Sequence, residues 1–204
     1  MNNNLFFFEN YYYNIINDVF NTIDENNNIL LIIKNDFNLF DNFSHIIKKK
    51  NIKIDIFVEN KNVFNKLIED IKGEECEENI NIYSEIENIK YKIYNIINIF
   101  HLDSNENFEY ILSKISNFIN DYTLIYLYCS LSNEKNTRVE YKNFFRKIVN
   151  EYTNINVGNL LKLNDIINIV NNLKYNIILL KKYKKNNYLL YGDNTVYQII
   201  MNKI

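Results

Sequence analysis

His101 and Asp103, at the close of the apolar run "YNIINIFHLD" (residues 94–103), are the residues best suited by type and spacing to move a proton. Histidine changes protonation near neutral pH, and with a carboxylate beside it can act as a general base toward a bound acceptor. The favoured alternative is structural: His101 completes the packing of its strand and Asp103 leads into a helix cap at Ser104. Glu59, ending "IFVEN", offers a hydrogen-bond acceptor at a strand terminus. A charged side chain there is expected on structural grounds alone, because charges seldom sit inside. "KKYKKNNY", residues 181–188, interleaves Lys181, Lys182, Lys184 and Lys185 with tyrosines. That mixture could meet phosphates and stack on bases. It is equally a solvated hairpin whose lysines discourage edge pairing, the reading that a net charge of −2 favours. Cys76, Cys129, His45 and His101 lack the short paired spacings of a zinc site. No GxxxxGK or GxGxxG phosphate-binding pattern occurs. Cys129 lies in an apolar strand, where cysteine behaves as a small buried hydrophobe.

These residues depend on the elements around them. "ILLIIK", 29–34, predicts a first strand, and residues 10–23 before it place Tyr12, Ile15, Ile16, Val19, Phe20 and Ile23 at helical spacing. "FNLFDNFSHIIKKK" predicts a helix with a basic C-terminus. "IKIDIFVE", 52–59, is a β-branched strand, followed by a helix that Gly73 can end. The acidic "EECEEN" reads as a solvated loop. Strands follow at 80–86, 94–103 and 123–131, with a helix from Ser104 that keeps Phe108, Ile111, Leu112, Ile115 and Phe118 on one face. Further helices are predicted at 139–150 and 163–173. Two β segments, "YNIILLKKY" and "YLLYGDNTVYQIIM", close the chain without a helix between them. A short polar loop suits an antiparallel pair, since a parallel pair needs a long crossover. The expected fold is a doubly wound, Rossmann-like α/β sheet of about seven strands, mostly parallel with an antiparallel terminal hairpin.

A chain of 204 residues suits one domain, here 1–204 with an N-terminal helix at about 10–25. Its 47% hydrophobic and 15% aromatic content marks a globular chain despite the many asparagines. Absent alanine and proline, three glycines and a preference for lysine over arginine point to an AT-rich genome. The near-neutral charge supplies no global attraction for nucleic acid or an anionic membrane. Two cysteines without a disulfide framework, and no leader or spanning segment, suggest an intracellular, cytoplasmic setting.

The order of elements resembles the class I S-adenosylmethionine-dependent methyltransferase fold. The best local match is residues 91–129, which resemble that family's fourth strand, following helix and fifth strand. The segment "YNIILLKKYKKNNYLLYGDNTVYQIIM", residues 175–201, resembles its last two strands. The resemblance implies a glycine-rich cofactor loop after strand one, an acid ending strand two that receives the ribose hydroxyls, and a polar side chain after strand three at the adenine amine. Glu59 matches the acid, and Glu85 or Glu87 the third position. The loop departs from the pattern: the first glycine is Gly73, and the turn is Lys34-Asn35-Asp36-Phe37-Asn38. Asparagine and aspartate can adopt left-handed conformations, but their side chains still fill the space glycine leaves open.

Two functions follow as expectations. The first is a methyltransferase-fold protein with a lost or weakened cofactor site, acting as a binding or regulatory partner. The alternative is an active, strongly diverged methyltransferase acting on nucleic acid or a small molecule. The site would comprise Asn35, Asp36, Glu59 and Glu85 for the cofactor, His101 and Asp103 for catalysis, and the four lysines for nucleic acid. The cofactor is accordingly none or S-adenosylmethionine, with no metal. "LFFF", residues 5–8, is the candidate contact for a protein partner.

Overall fold

Five consecutive aliphatic side chains, Ile29 to Ile33, form strand β1 (Asn28–Ile33), and each is at most 3% exposed. An unbroken apolar run of this kind marks a strand covered on both faces. The structure is a computed structural model that describes residues 27–33, 47, 50, 52–89, 92–100, 104–132, 139–144, 147–148, 160–183 and 196–204. The chain clusters into two compact units, Met1–Lys90 and Tyr91–Ile204.

In the first unit, β1 is followed by β2 (Lys53–Val58), helix α1 (Lys61–Ile71) and β3 (Ile80–Tyr83). The strands lie in the order β3-β2-β1, and both pairings are parallel. Helix α1 is the crossover that parallel pairing of β2 with β3 demands. Asn60 starts it by accepting hydrogen bonds from the backbone N–H groups of Asn62 at 2.9 Å and Val63 at 3.4 Å. Val63, Leu67 and Ile71 recur every fourth residue and form its buried stripe. Gly73 terminates it with φ of +83°, a conformation that costs glycine little because it has no Cβ. Buried Asp55 on β2 faces Asn81 on β3, whose side-chain amide donates to its carboxylate at 2.8 Å.

The second unit contains β4 (Ile96–Phe100), α2 (Asn105–Ile115), β5 (Leu124–Ser132), β6 (Leu161–Lys162), α3 (Leu163–Asn172), β7 (Tyr175–Tyr183) and β8 (Val196–Lys203). Residues 139–144 are also helical. The order is β4-β5-β8-β7, with β4 parallel to β5 and β8 antiparallel to both β5 and β7. The two-residue β6 pairs in parallel with the end of β5. Asn143 holds the approach to β6, donating to the carbonyl of Leu160 at 3.0 Å and accepting its N–H at 2.7 Å. Helix α2 buries Phe108, Ile111, Leu112 and Ile115, each worth about 1.5–3 kcal/mol when fully removed from water.

The fold is Rossmann-like α/β with seven principal strands; within each unit they pair in parallel except β8, which runs antiparallel to β5 and β7, and α1 and α2 lie in the β2–β3 and β4–β5 crossovers. Several boundaries differ from the sequence reading for local reasons. Strand β4 begins at Ile96, because the N–H of Tyr94 donates to Phe118 and its carbonyl accepts from the Thr123 hydroxyl. Helix α2 stops at Ile115, leaving Phe118 buried in the following turn with its ring edge-on to Tyr94. Strand β3 ends at Tyr83, and Ile86 is buried from a 3-10 turn. A second 3-10 turn, Glu77–Asn79, occupies part of the acidic segment read as loop. The predicted N-terminal helix lies outside the described residues, as does most of the helix expected after β1. Among the described residues no helix is long and apolar enough to cross a membrane.

Candidate functional site at the carboxyl ends of the strands

Parallel strands bring their carboxyl ends to one edge, where open α/β sheets receive ligands. In the first unit the register aligns Ile33 with Val58 and Phe57 with Tyr83, so β1, β2 and β3 end nearly level. Glu59 and Glu85 each lie two positions beyond the Phe57–Tyr83 pair. Both are exposed. The edge therefore carries two carboxylates on the continuations of adjacent strands, able to accept hydrogen bonds from a ligand's hydroxyl or amino groups.

Their settings differ. Glu59 stands between the buried end of β2 and Asn60, whose side chain caps α1, so strand and helix both limit its backbone. Glu85 precedes the 3-10 turn Ile86–Asn88, and its carboxylate accepts from the side-chain amide of Asn88 at 2.9 Å. Glu87 is exposed within that same turn.

In the second unit, β4 ends at Phe100 and α2 begins after Ser104, whose hydroxyl accepts the N–H of Asn107 at 3.1 Å. That is the cap expected from the sequence. Glu106 in the first helical turn has its pKa lowered by hydrogen bonding to its own backbone N–H and then to Ser104. His101 and Asp103, between these fixed points, lie outside the described residues, as do Asn35, Asp36, Lys184 and Lys185. Lys181 and Lys182 are exposed on β7, with the Lys182 ammonium 5.7 Å from the centre of the Tyr197 ring. Among the described residues no cluster of histidine, cysteine and acids could hold a metal.

Two buried polar features, the Tyr128–Gln198 pair and Asn98, were not singled out from the sequence, whereas Cys129 was. Tyr128 stacks on Phe100 with ring centres 5.1 Å apart, and its hydroxyl accepts from the Gln198 amide at 3.0 Å. Asn98, in the middle of β4, is 1% exposed, and among the described residues neither its side-chain nitrogen nor its oxygen has a hydrogen-bond partner. Cys129 is buried, and desolvation pushes its thiol far above the ordinary range, away from nucleophilic chemistry. The available sequence signal for Asn98 was its interruption of the run "IINIF"; nothing local revealed how it would be partnered.

By sequence, no family model and no curated protein matches this chain. Solved structures do match its architecture. A methyltransferase dependent on S-adenosylmethionine from Methanosarcina mazei aligns with TM-score 0.62 at 8% identity, covering 92% of this chain and 97% of the other. The fold is that of the S-adenosylmethionine-dependent methyltransferases. The Bacillus subtilis tRNA methyltransferase TrmK aligns with TM-score 0.59 at 9% identity, over 93% of this chain and 65% of its own. The mitomycin 7-O-methyltransferase MmcR aligns with TM-score 0.62 at 9% identity, over 94% and 54%. The chain thus spans less than two thirds of these last two proteins. At such identities the shared property is the methyltransferase fold itself, and function must be argued from the site.

Proposed function

We propose that this chain is a methyltransferase-fold protein whose cofactor site is lost or weakened, and that it serves as a binding or regulatory partner. The observation that carries this reading is the turn after β1. Lys34-Asn35-Asp36-Phe37-Asn38 contains no glycine, and none occurs before Gly73. Glycines in such a loop leave room for backbone to approach a cofactor, whereas all five residues here carry side chains, one of them the carboxylate of Asp36. The partner would meet the aromatic segment Leu5–Phe8, which lies outside the described residues.

One observation favours a second reading, an active but diverged methyltransferase that binds S-adenosylmethionine and acts on nucleic acid or a small molecule. Glu59 and Glu85 are exposed just beyond the ends of the adjacent strands β2 and β3, and in this reading they would receive the ribose hydroxyls and the adenine amine. In that reading His101 and Asp103 would serve as the base, and Lys181, Lys182, Lys184 and Lys185 would hold a nucleic-acid backbone.

Thermal melting with added S-adenosylmethionine or its demethylated product separates the two. A ligand that binds only the native state stabilises it by about 2.7 kcal/mol at one hundred times Kd. The expected outcome is an unchanged melting temperature at every concentration. A saturable rise that disappears in Glu59→Ala would establish the second reading instead.

A further inference from the structure

The division of the chain into two units changes the meaning of its net charge. Residues 1–90 hold nine Lys and Arg against sixteen Asp and Glu, and residues 91–204 hold fourteen against nine, so the overall −2 is made of −7 in the first unit and +5 in the second. The positive excess lies after β5, since residues 135–204 hold twelve basic side chains and four acidic ones. Charge of one sign gathered in one part of a chain acts on a polyanion locally, whatever the total.

Register brings part of this excess to the carboxyl edge of the second unit. Strands β5, β8 and β7 are level at Ser130, Val196 and Tyr183, so β7 ends at the same edge as β5, with Lys182 exposed just before its last residue. Lys162 on β6 pairs with Ser132 at the end of β5. Asn143 ties the helical residues 139–144 to Leu160 beside β6, and Val139, one turn earlier, is buried. Away from that inward side, Tyr141 and Phe144 are 64% and 61% exposed, one turn apart, and exposed Lys147 follows three residues later. Aromatic rings held in water beside lysines are the two components of a single-strand site: rings stack on unpaired bases of any identity, and ammonium groups meet the phosphates. A duplex keeps its bases stacked on one another and offers the rings nothing. A membrane-surface helix needs a broad apolar face, whereas here Glu140 is exposed one turn from Phe144.

We propose that the carboxyl edge of the second unit binds single-stranded nucleic acid, with Tyr141 and Phe144 stacking on bases and Lys147, Lys162 and Lys182 meeting phosphates. The inference rests on the binding role proposed above, to which it gives a partner class, and it requires no cofactor.

Fluorescence anisotropy tests this, with the full chain titrated, in the absence of S-adenosylmethionine, into labelled single-stranded RNA and DNA and into the same sequences annealed to their complements. At least one of the single strands should bind saturably at low salt and more tightly than its duplex. Phe144→Ala should weaken that binding at least about fivefold and leave its salt dependence unchanged. Lys147→Gln and Lys182→Gln should each make the slope of log affinity against log salt shallower by about 0.7. Tyr122→Ala, at a position 88% exposed in the turn before β5 and so at the opposite edge, should change nothing. No saturable binding, a duplex bound as tightly as the single strand, Phe144→Ala no weaker than Tyr122→Ala, or displacement of the strand by phosphatidylserine vesicles overturns the proposal. Because no cofactor is present, failure here leaves the lost-site reading standing, and cofactor binding measured separately leaves this site standing.

Discussion

The two units meet the same two local demands in opposite ways. Each has a polar side chain in the middle of a buried strand, and each has a helix that turns through the left-handed region. In the first unit Asp55 has the amide of Asn81 at 2.8 Å, and the turn after α1 falls on Gly73. In the second unit the side chain of Asn98 has no hydrogen-bond partner among the described residues, and the turn after α3 falls on Lys174 with φ of 61°. Glycine suits such a turn and lysine resists it, since a Cβ is disfavoured there. The contrast shows where the molecule holds unrealised stability, and it lies in β4 and the entry to β7.

The largest effect should come from breaking the satisfied pair. Asn81→Ala removes a donor from the buried carboxylate of Asp55 and should lower unfolding stability by about 2 kcal/mol in urea denaturation. Relieving the unsatisfied group should act in the opposite direction. Asn98→Val replaces an unpartnered amide with a β-branched side chain and should raise stability by about 1–2 kcal/mol. A loss of stability in this variant would mean that Asn98 is partnered in solution, and the contrast between the units would fail. The smallest effect should be Lys174→Gly, raising stability by about 0.5–1 kcal/mol through relief at a left-handed position.

The sequence was most legible where burial acts over several residues. Runs such as Ile29–Ile33 and Ile96–Phe100 could only be covered strands, and the helix stripes at Val63, Leu67, Ile71 and at Phe108, Ile111, Leu112, Ile115 were readable from spacing. The antiparallel ending followed from the short connection between two β segments, as β7 and β8 show. Ends were less legible because single hydrogen bonds set them. Tyr94 continues the apolar run, yet its backbone bonds to Phe118 and Thr123 keep it out of β4. Strand β6 and the two 3-10 turns are too short to leave a periodic signal.

Of the candidate site residues, the sequence placed Glu59 at the end of β2, where the apolar run gives way to a charge, whereas Glu85 fell inside the strand expected at 80–86 and lies two positions beyond the observed end of β3 at Tyr83. The sequence could not specify the status of Asn98. Whether a buried amide has a partner depends on residues across the sheet and beyond it, which local pattern does not encode. The same distinction bears on the proposed function, since topology follows from periodicity whereas cofactor affinity turns on the volume of a few side chains in one turn.

The most direct test of the central claim is calorimetric titration of S-adenosylmethionine into the wild-type chain, with Glu59→Ala in parallel. The lost-site account predicts no saturable heat from either protein. Saturable binding with a micromolar dissociation constant in the wild type, abolished in Glu59→Ala, would contradict it.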